Sequence, residues 1–188
     1  MGSIMPNPKL LVLAGPTAVG KGTVVKRILE ITPTVALSVS ATTRAPRAGE
    51  VDGQSYFFLS DSEFDELIAA GEMLEFATVH GTHRYGTPRQ PVLAALSDGK
   101  SVLLEIDIQG ARQVKKHMPE AVTVFIAPPS WEELVRRLEG RGTEQPEEMQ
   151  RRLETAKDEL LGQHEFDHVV INDDVAKCAQ SVVDLLGA

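Results

Sequence analysis

Gly15, Gly20 and Lys21 stand at the spacing G-x-x-x-x-G-K within LLVLAGPTAVGKGT, residues 10–23. Glycines at those two places let successive backbone N–H groups curl around a polyphosphate, and a lysine straight after the second reaches its terminal phosphates. The segment Gly15, Pro16, Thr17, Ala18, Val19, Gly20, Lys21, Gly22 and Thr23 therefore reads as a triphosphate-binding loop. This pattern normally puts Ser or Thr directly after the lysine. Here that position is Gly22 and the hydroxyl falls one residue later on Thr23, so no hydroxyl stands where a direct bond to Mg²⁺ needs one.

A second anion site is written into SATTRAPRAGEVDGQSY, residues 40–56, where Arg44 and Arg47 lie among hydroxyls. In a chain with a net charge of −8, two arginines spaced this way are a local exception to the prevailing sign, and forked guanidinium donors suit a phosphate dianion. A third stretch, SVLLEI at residues 101–106, is apolar and is followed by Asp107. Carboxylates at the end of such a strand sit beside a phosphate loop, which makes Glu105 and Asp107, with Thr23, the candidates to reach Mg²⁺, chiefly through water. The five histidines include two close pairs, His80 with His83 and His164 with His168, the latter at helical spacing. Neither pair has a third ligand nearby, so neither reads as a metal site.

The elements that must carry these groups follow from periodicity. Leu10, Leu11, Val12 and Leu13 form an apolar run without polar alternation, the mark of a strand buried on both faces. A helix is expected over 23–31 and a second strand over 35–39. Residues 56–59 read as a short strand, 60–70 as a helix with Phe64, Leu67 and Ile68 on one face, and 73–79 as a strand. A helix starts near Pro88, strands recur at 101–106, 122–126 and 166–171, and helices fill 109–116, 131–140 and 147–161. Ser130 and Glu133 have capping-box spacing, and Asp173 or Asp174 caps a last helix. Strands alternating with helices predict an α/β fold with a parallel sheet and helices on both faces. Residues 40–90 form a small mixed α+β insert in a core made of 9–39 and 91–188, and residues 1–8 form an unstructured lead, an expression remnant or an alternative start. No apolar run is long enough to cross a bilayer, and no signal peptide is recognisable. The charge excludes a nucleic acid polymer as partner, and the lone Cys178 reads as a small buried residue in a reducing, cytoplasmic setting.

The second stretch, with Thr42, Thr43, Arg44, Arg47, Glu50, Gly53, Tyr56 and Phe58 in order after the phosphate loop, resembles the guanylate kinases, P-loop enzymes that move the terminal phosphate of ATP onto GMP. IAPPS at 126–130 and LEGRGTE at 138–144 extend the resemblance over nearly the whole chain. It implies a P-loop NTPase fold with a GMP-binding insert and a lid at about 140–150. It implies that Ser40, Arg44, Arg47, Tyr56 and Tyr85 grip the GMP phosphate, and that Glu75, Thr87 and Asp107 read guanine. Lys21, Arg44, Arg137 and Arg152 would be catalytic, with Arg141 on ATP and Mg²⁺ as cofactor. Guanine offers N1–H and a 2-amino group as donors and O6 as acceptor, so a carboxylate with a hydroxyl partner is its complement, whereas adenine would leave Glu75 unpaired. Such unpaired groups give discrimination on the order of 10⁴–10⁵. Domains resembling these enzymes also serve as non-catalytic interaction modules, which typically lack a working phosphate loop; that reading is the alternative.

Overall fold

The apolar run becomes β1 (Leu10–Ala14), every residue of which is buried. The computed structural model describes residues 7–79, 82–140 and 146–187. Within them β1 is the middle of a five-stranded parallel sheet ordered β2-β7-β1-β8-β9, the partners being β2 (Ala36–Leu37), β7 (Val102–Glu105), β8 (Val122–Ala127) and β9 (His168–Ile171). Period-two alternation sorts β1 between two cores. Leu11 and Leu13 pack with Val24, Val25 and Ile28 of α1 (Lys21–Ile31) and with Cys178 and Val182 of α7 (Val175–Leu186). Leu10, Val12 and Ala14 pack with Val92 of α3 (Arg89–Ser97) and with Ile108, Ala111 and Val114 of α4 (Ile108–His117). Helices α5 (Trp131–Glu139) and α6 (Pro146–Leu161) join the first of these layers through Leu134, Leu138, Ala156 and Leu153. The expected parallel sheet with helices on both faces is thus present, and Cys178 is a buried core residue. No helix among the described residues is long and apolar enough to cross a membrane.

Between β2 and α3 the chain builds a second sheet ordered β4-β3-β6-β5, from β3 (Ala41–Thr42), β4 (Phe57–Phe58), β5 (Met73–Val79) and β6 (His83–Pro88). The single helix of this region, α2 (Asp61–Ala69), starts with a full capping box between Ser60 and Glu63 and buries Phe64 against Ala41 and Met73.

Several expectations need correction. The second core strand is two residues long rather than 35–39: Ser38 still donates to the Leu103 carbonyl at 2.9 Å, and the chain then leaves for the second sheet. Strands β3 and β6 carry no apolar alternation and are made by their partners; Gly86 of β6 lies under Phe64, which a side chain there would crowd at 3.3 Å. Ser130 accepts from the Glu133 amide at 3.1 Å, yet the Glu133 carboxylate turns to Arg136 and Arg137, so the box is half made; three charge-assisted bonds outcompete one amide. Helix α4 begins one residue earlier than expected because Asp107 caps it, accepting from Gly110 N at 2.7 Å. His164 lies in a 3₁₀ turn and His168 in β9, so they do not share a helix face.

The second sheet stands on a small core, and Phe64 is its largest fully buried side chain, with the Arg84 guanidinium 4.7 Å from the ring centroid. Phe64→Ala is expected to cost about 3–5 kcal/mol. Hydrogen exchange should localise the damage: amides of β5 and β6 lose protection while those of β1 keep theirs, and uniform loss across both sheets would contradict a separate core for the insert.

Candidate active site

The loop after β1 enters α1 through Gly20, which adopts φ +95°, a left-handed conformation that L side chains rarely take. A Cβ at Gly20 would also lie 2.8 Å from Asn172 Nδ2, so the space is closed as well as the conformation. Behind the loop, the Val19 carbonyl accepts from Asn172 Nδ2 at 2.8 Å and from Arg137 Nη1 at 3.1 Å. Arg137 Nη2 also donates to the Asn172 carbonyl at 3.2 Å, and its Nε to Glu133 at 2.8 Å. Asn172 is almost fully buried at the C-terminal end of β9. Sequence reasoning missed it. The available signal was a polar residue just past the last strand of a parallel sheet, the end at which such folds bind ligands.

Lys21 Nζ donates to the Gly15 carbonyl at 2.5 Å. Burial pushes its ammonium below the usual lysine range, and the carboxylates of Glu159, Glu105 and Asp107 oppose that shift. Glu159, from α6, faces Lys21 and the Thr17 amide, and desolvation raises its own pKa against both. Glu105 is exposed at the end of β7, and a Cβ on Gly22 would lie 3.8 Å from its Oε1. A carboxylate so close to the place where the loop lacks a hydroxyl, with Thr23 exposed one residue on, suits a magnesium ion that keeps several of its waters. No group of three or more His, Cys, Asp or Glu side chains converges as a metal cage among the described residues.

The second sheet assembles the other half. Pairing of β5 with β6 sets Glu75 opposite Thr87 and Ala77 opposite Tyr85, so side chains two apart on each strand share a face. Thr87 Oγ1 donates to Glu75 Oε1 at 2.6 Å, and both residues are buried. Burial lifts the Glu75 carboxyl to about 7 despite that bond, and the Asp107 charge adds to the rise. Arg44 donates Nε to Tyr85 Oη at 3.3 Å and makes a two-pronged pair with Glu50 at 2.8 and 3.0 Å. Its guanidinium lies 5.4 Å from the Tyr56 ring centroid, and its side chain is only 10% exposed. Glu50 and Tyr85 hold it firmly cationic. Arg47 is exposed beside this pair, its amide donating to Glu50 at 2.7 Å, and Ser40 is half-buried at the head of β3. Glu50, part of the signature but given no role by sequence reasoning, is the residue that orients Arg44.

The remaining expected residues are placed unevenly. Arg137 belongs to α5 and is bonded to the back of the loop. Arg152, on α6, pairs with Glu148 at 3.3 Å. Arg141 and the four residues after it, within the stretch expected as a lid, lie outside the described residues. Asp107 links the two halves: it acts electrostatically on both Lys21 and Glu75.

A phosphate loop at the end of the middle parallel strand, beside an acidic strand end and a small sheet bearing an arginine cradle, defines a P-loop kinase. The family model described as guanylate kinase matches residues 7–188. A guanylate kinase of Leifsonia xyli subsp. xyli is 66% identical over 177 residues, 94% of this chain and 70% of that protein. One from Nocardia farcinica is 57% identical over 94% of this chain and 92% of its own length. The crystal structure of guanylate kinase from Anaplasma phagocytophilum superposes with a TM-score of 0.75 at 36% identity, covering 97% of this chain and 86% of that one. The chain belongs to the guanylate kinase family.

Glu75 gives the site a pH signature. Its folded pKa of about 7 lies above the ordinary value of 4.5, so between those limits the native state binds more protons than the unfolded one and stability falls as pH rises. Relative to Glu75→Gln, the ligand-free wild type should lose thermal stability as pH rises from 5, most steeply midway between those two values, and level off above pH 7. A difference that stays flat across that range would show that Glu75 is not desolvated.

Proposed function

We propose that this chain transfers the γ-phosphate of ATP to GMP, and to dGMP, giving ADP and GDP in cytoplasmic purine nucleotide metabolism. The observation that carries this reading is the buried Glu75–Thr87 pair on the same small sheet as the Arg44–Tyr85–Tyr56 cluster. Guanine's N1–H and 2-amino donors meet Glu75, with Asp107 at their side and the Thr87 hydroxyl toward O6. The phosphate of GMP lies among Ser40, Arg44, Arg47, Tyr56 and Tyr85, whose guanidinium and hydroxyl donors match a dianion.

On the opposite side, the amides of residues 15–23 and Lys21 hold the β and γ phosphates of ATP. An oxygen of the GMP phosphate attacks the γ phosphorus, the bond to the β-bridging oxygen breaks, and ADP leaves with that electron pair. No enzyme nucleophile is needed, because phosphoryl transfer rests on positioning and charge neutralisation. Lys21, Arg44, Arg137, Arg141 and Arg152 supply the positive charge around the migrating group. Glu105 and Asp107, with Thr23, would hold a hydrated Mg²⁺, whose charge would offset that of the phosphates. Closing the insert, residues 40–90, over the core excludes the water that would hydrolyse ATP.

A coupled assay of ADP release compares acceptors. GMP and dGMP should be turned over, and AMP and UMP should not. Lys21→Met is expected to lower kcat by about 10²–10³, the loss typical of one removed electrostatic donor; unchanged turnover would sink the proposed role of the loop. Glu75→Gln should harm GMP selectively, and an equal loss with every acceptor would defeat the base-reading assignment.

A further inference from the structure

Strand β5 is the edge of the small sheet, so the main-chain groups on its outer side have no strand partner. It is also irregular: Met73 pairs with Pro88 and Glu75 with Thr87, leaving Leu74 as an extra residue at a register shift directly before Glu75. Helix α4 covers this edge with a single face. Gln113 receives the Phe76 amide at 3.1 Å and donates to the Phe76 carbonyl at 3.0 Å, so its side-chain amide stands in for a neighbouring strand. One turn further, His117 Nδ1 lies 2.8 Å from the Leu74 carbonyl, at the irregular residue itself. One turn back, Gly110 sits against Glu75: a Cβ there would come within 3.0 Å of Glu75 Oε2, 3.2 Å of Ile106 Cδ1 and 3.3 Å of Asp107 Oδ1. Residues 110, 113 and 117 are three and four apart and share one helix face. The three contacts bracket Glu75 from both sides and from beneath.

We propose that this face of α4, Gly110, Gln113 and His117, is a specificity device: it fixes where the Glu75 carboxylate stands and so sets discrimination at the guanine 2-amino group. None of the three touches nucleotide in this scheme; they are positioning residues. The inference rests on the proposed reading of Glu75 as the base-reading residue. Glu75 Oε1 is tied to Thr87 at 2.6 Å, and Oε2 lies in the gap that Gly110 leaves open by lacking a side chain. A methyl group at 110, 3.0 Å from Oε2 of the buried Glu75, must push the carboxylate by a few tenths of an ångström. Binding constellations tolerate displacements of about 0.5 Å before function suffers, so the shift acts at the margin where selectivity is lost and binding is weakened rather than abolished. Because α4 grows out of the Asp107 cap at the end of β7, the element that aims Glu75 is anchored on the core sheet and not on the insert that carries Glu75.

The test uses the full chain with GMP and IMP, which differ only in the 2-amino group. Gly110→Ala and Gln113→Ala should each lower the ratio of kcat/KM for GMP to that for IMP by about fivefold or more, with the KM for ATP changed less than twofold. A merely structural role would instead lower both acceptors and the ATP KM in step, leaving the ratio where it was, and that result overturns the proposal. Should Gly110→Ala fail to fold, Gln113→Ala, which deletes two hydrogen bonds at a half-exposed position and introduces no clash, decides alone. Glu75→Gln separates the two readings. If it leaves the ratio intact, the base-reading assignment fails and this inference falls with it. If it collapses the ratio while both α4 variants preserve it, only the positioning inference fails.

Discussion

The Val19 carbonyl is the point on which the site depends. A loop can present its amides to a polyanion only if its carbonyls point away, and a carbonyl turned into the protein must find donors there or pay a desolvation penalty of about 1–3 kcal/mol. Val19 finds two, Asn172 Nδ2 and Arg137 Nη1. Both come from the far end of the sequence, one from the end of β9 and the other from the last turn of α5. The glycine spacing of the loop therefore permits the cradle, and the C-terminal third of the chain imposes it. Arg137 matters here through its donors on main-chain carbonyls, with Glu133 fixing the guanidinium from the other side. Its closeness to the loop also keeps a permanent positive charge beside the phosphates the loop is proposed to hold.

In an acidic chain, the cations of both proposed anion sites are already paired with or faced by carboxylates. Arg44 is clasped by Glu50, Arg137 by Glu133, and Lys21 is ringed by Glu159, Glu105 and Asp107. These partners hold long side chains in one geometry before ligand arrives, which lowers the ordering cost of binding. They also set a threshold. A ligand has to offer more charge or better fork geometry than a carboxylate to win the donors, which a phosphate dianion does and a chloride ion does not. The net charge of −8 is consistent with such a design, because surplus cations would draw in polyanions without selection.

The sequence was legible wherever local chemistry and tertiary role coincide. An unbroken apolar run forced β1 to the middle of the sheet, glycine spacing announced the phosphate loop, and β5 has the very bounds that periodicity assigned, 73–79. The signature around Arg44 brought Tyr56 and Tyr85 to it across the small sheet. Legibility failed where a residue's role is set by something far away. Strands β3 and β6 are too short or too polar to declare themselves and exist because neighbours complete their ladders. Asn172 is an ordinary turn residue until β9 carries it under Val19. Gln113 looks like a solvated helix residue, and Leu74 like an ordinary member of its strand, until α4 and β5 meet. The Ser130–Glu133 spacing promised a full capping box, and the arginines three and four residues along took the carboxylate instead. That last competition is local, but in the other cases the deciding partner lies far along the chain, and no window of sequence contains both.

Glu75 shows what the contact between α4 and β5 contributes. A carboxylate in water has no preference among donors, since water satisfies it everywhere. Burial raises the Glu75 pKa to about 7 against the opposing hydrogen bond from Thr87, each unit of displacement being worth about 1.4 kcal/mol between its two protonation states. The ionised form is therefore disfavoured there, and under the proposed reading a base edge that offers two donors stabilises it while one that offers acceptors does not. Discrimination of that kind exists only if the carboxylate cannot step aside to water. The insert that carries it has only a small core of its own around Phe64, and a further constraint comes from outside it. Helix α4 satisfies the outer edge of β5 from the core side, which would tie Glu75, in its proposed role, to the same framework that carries the phosphate loop.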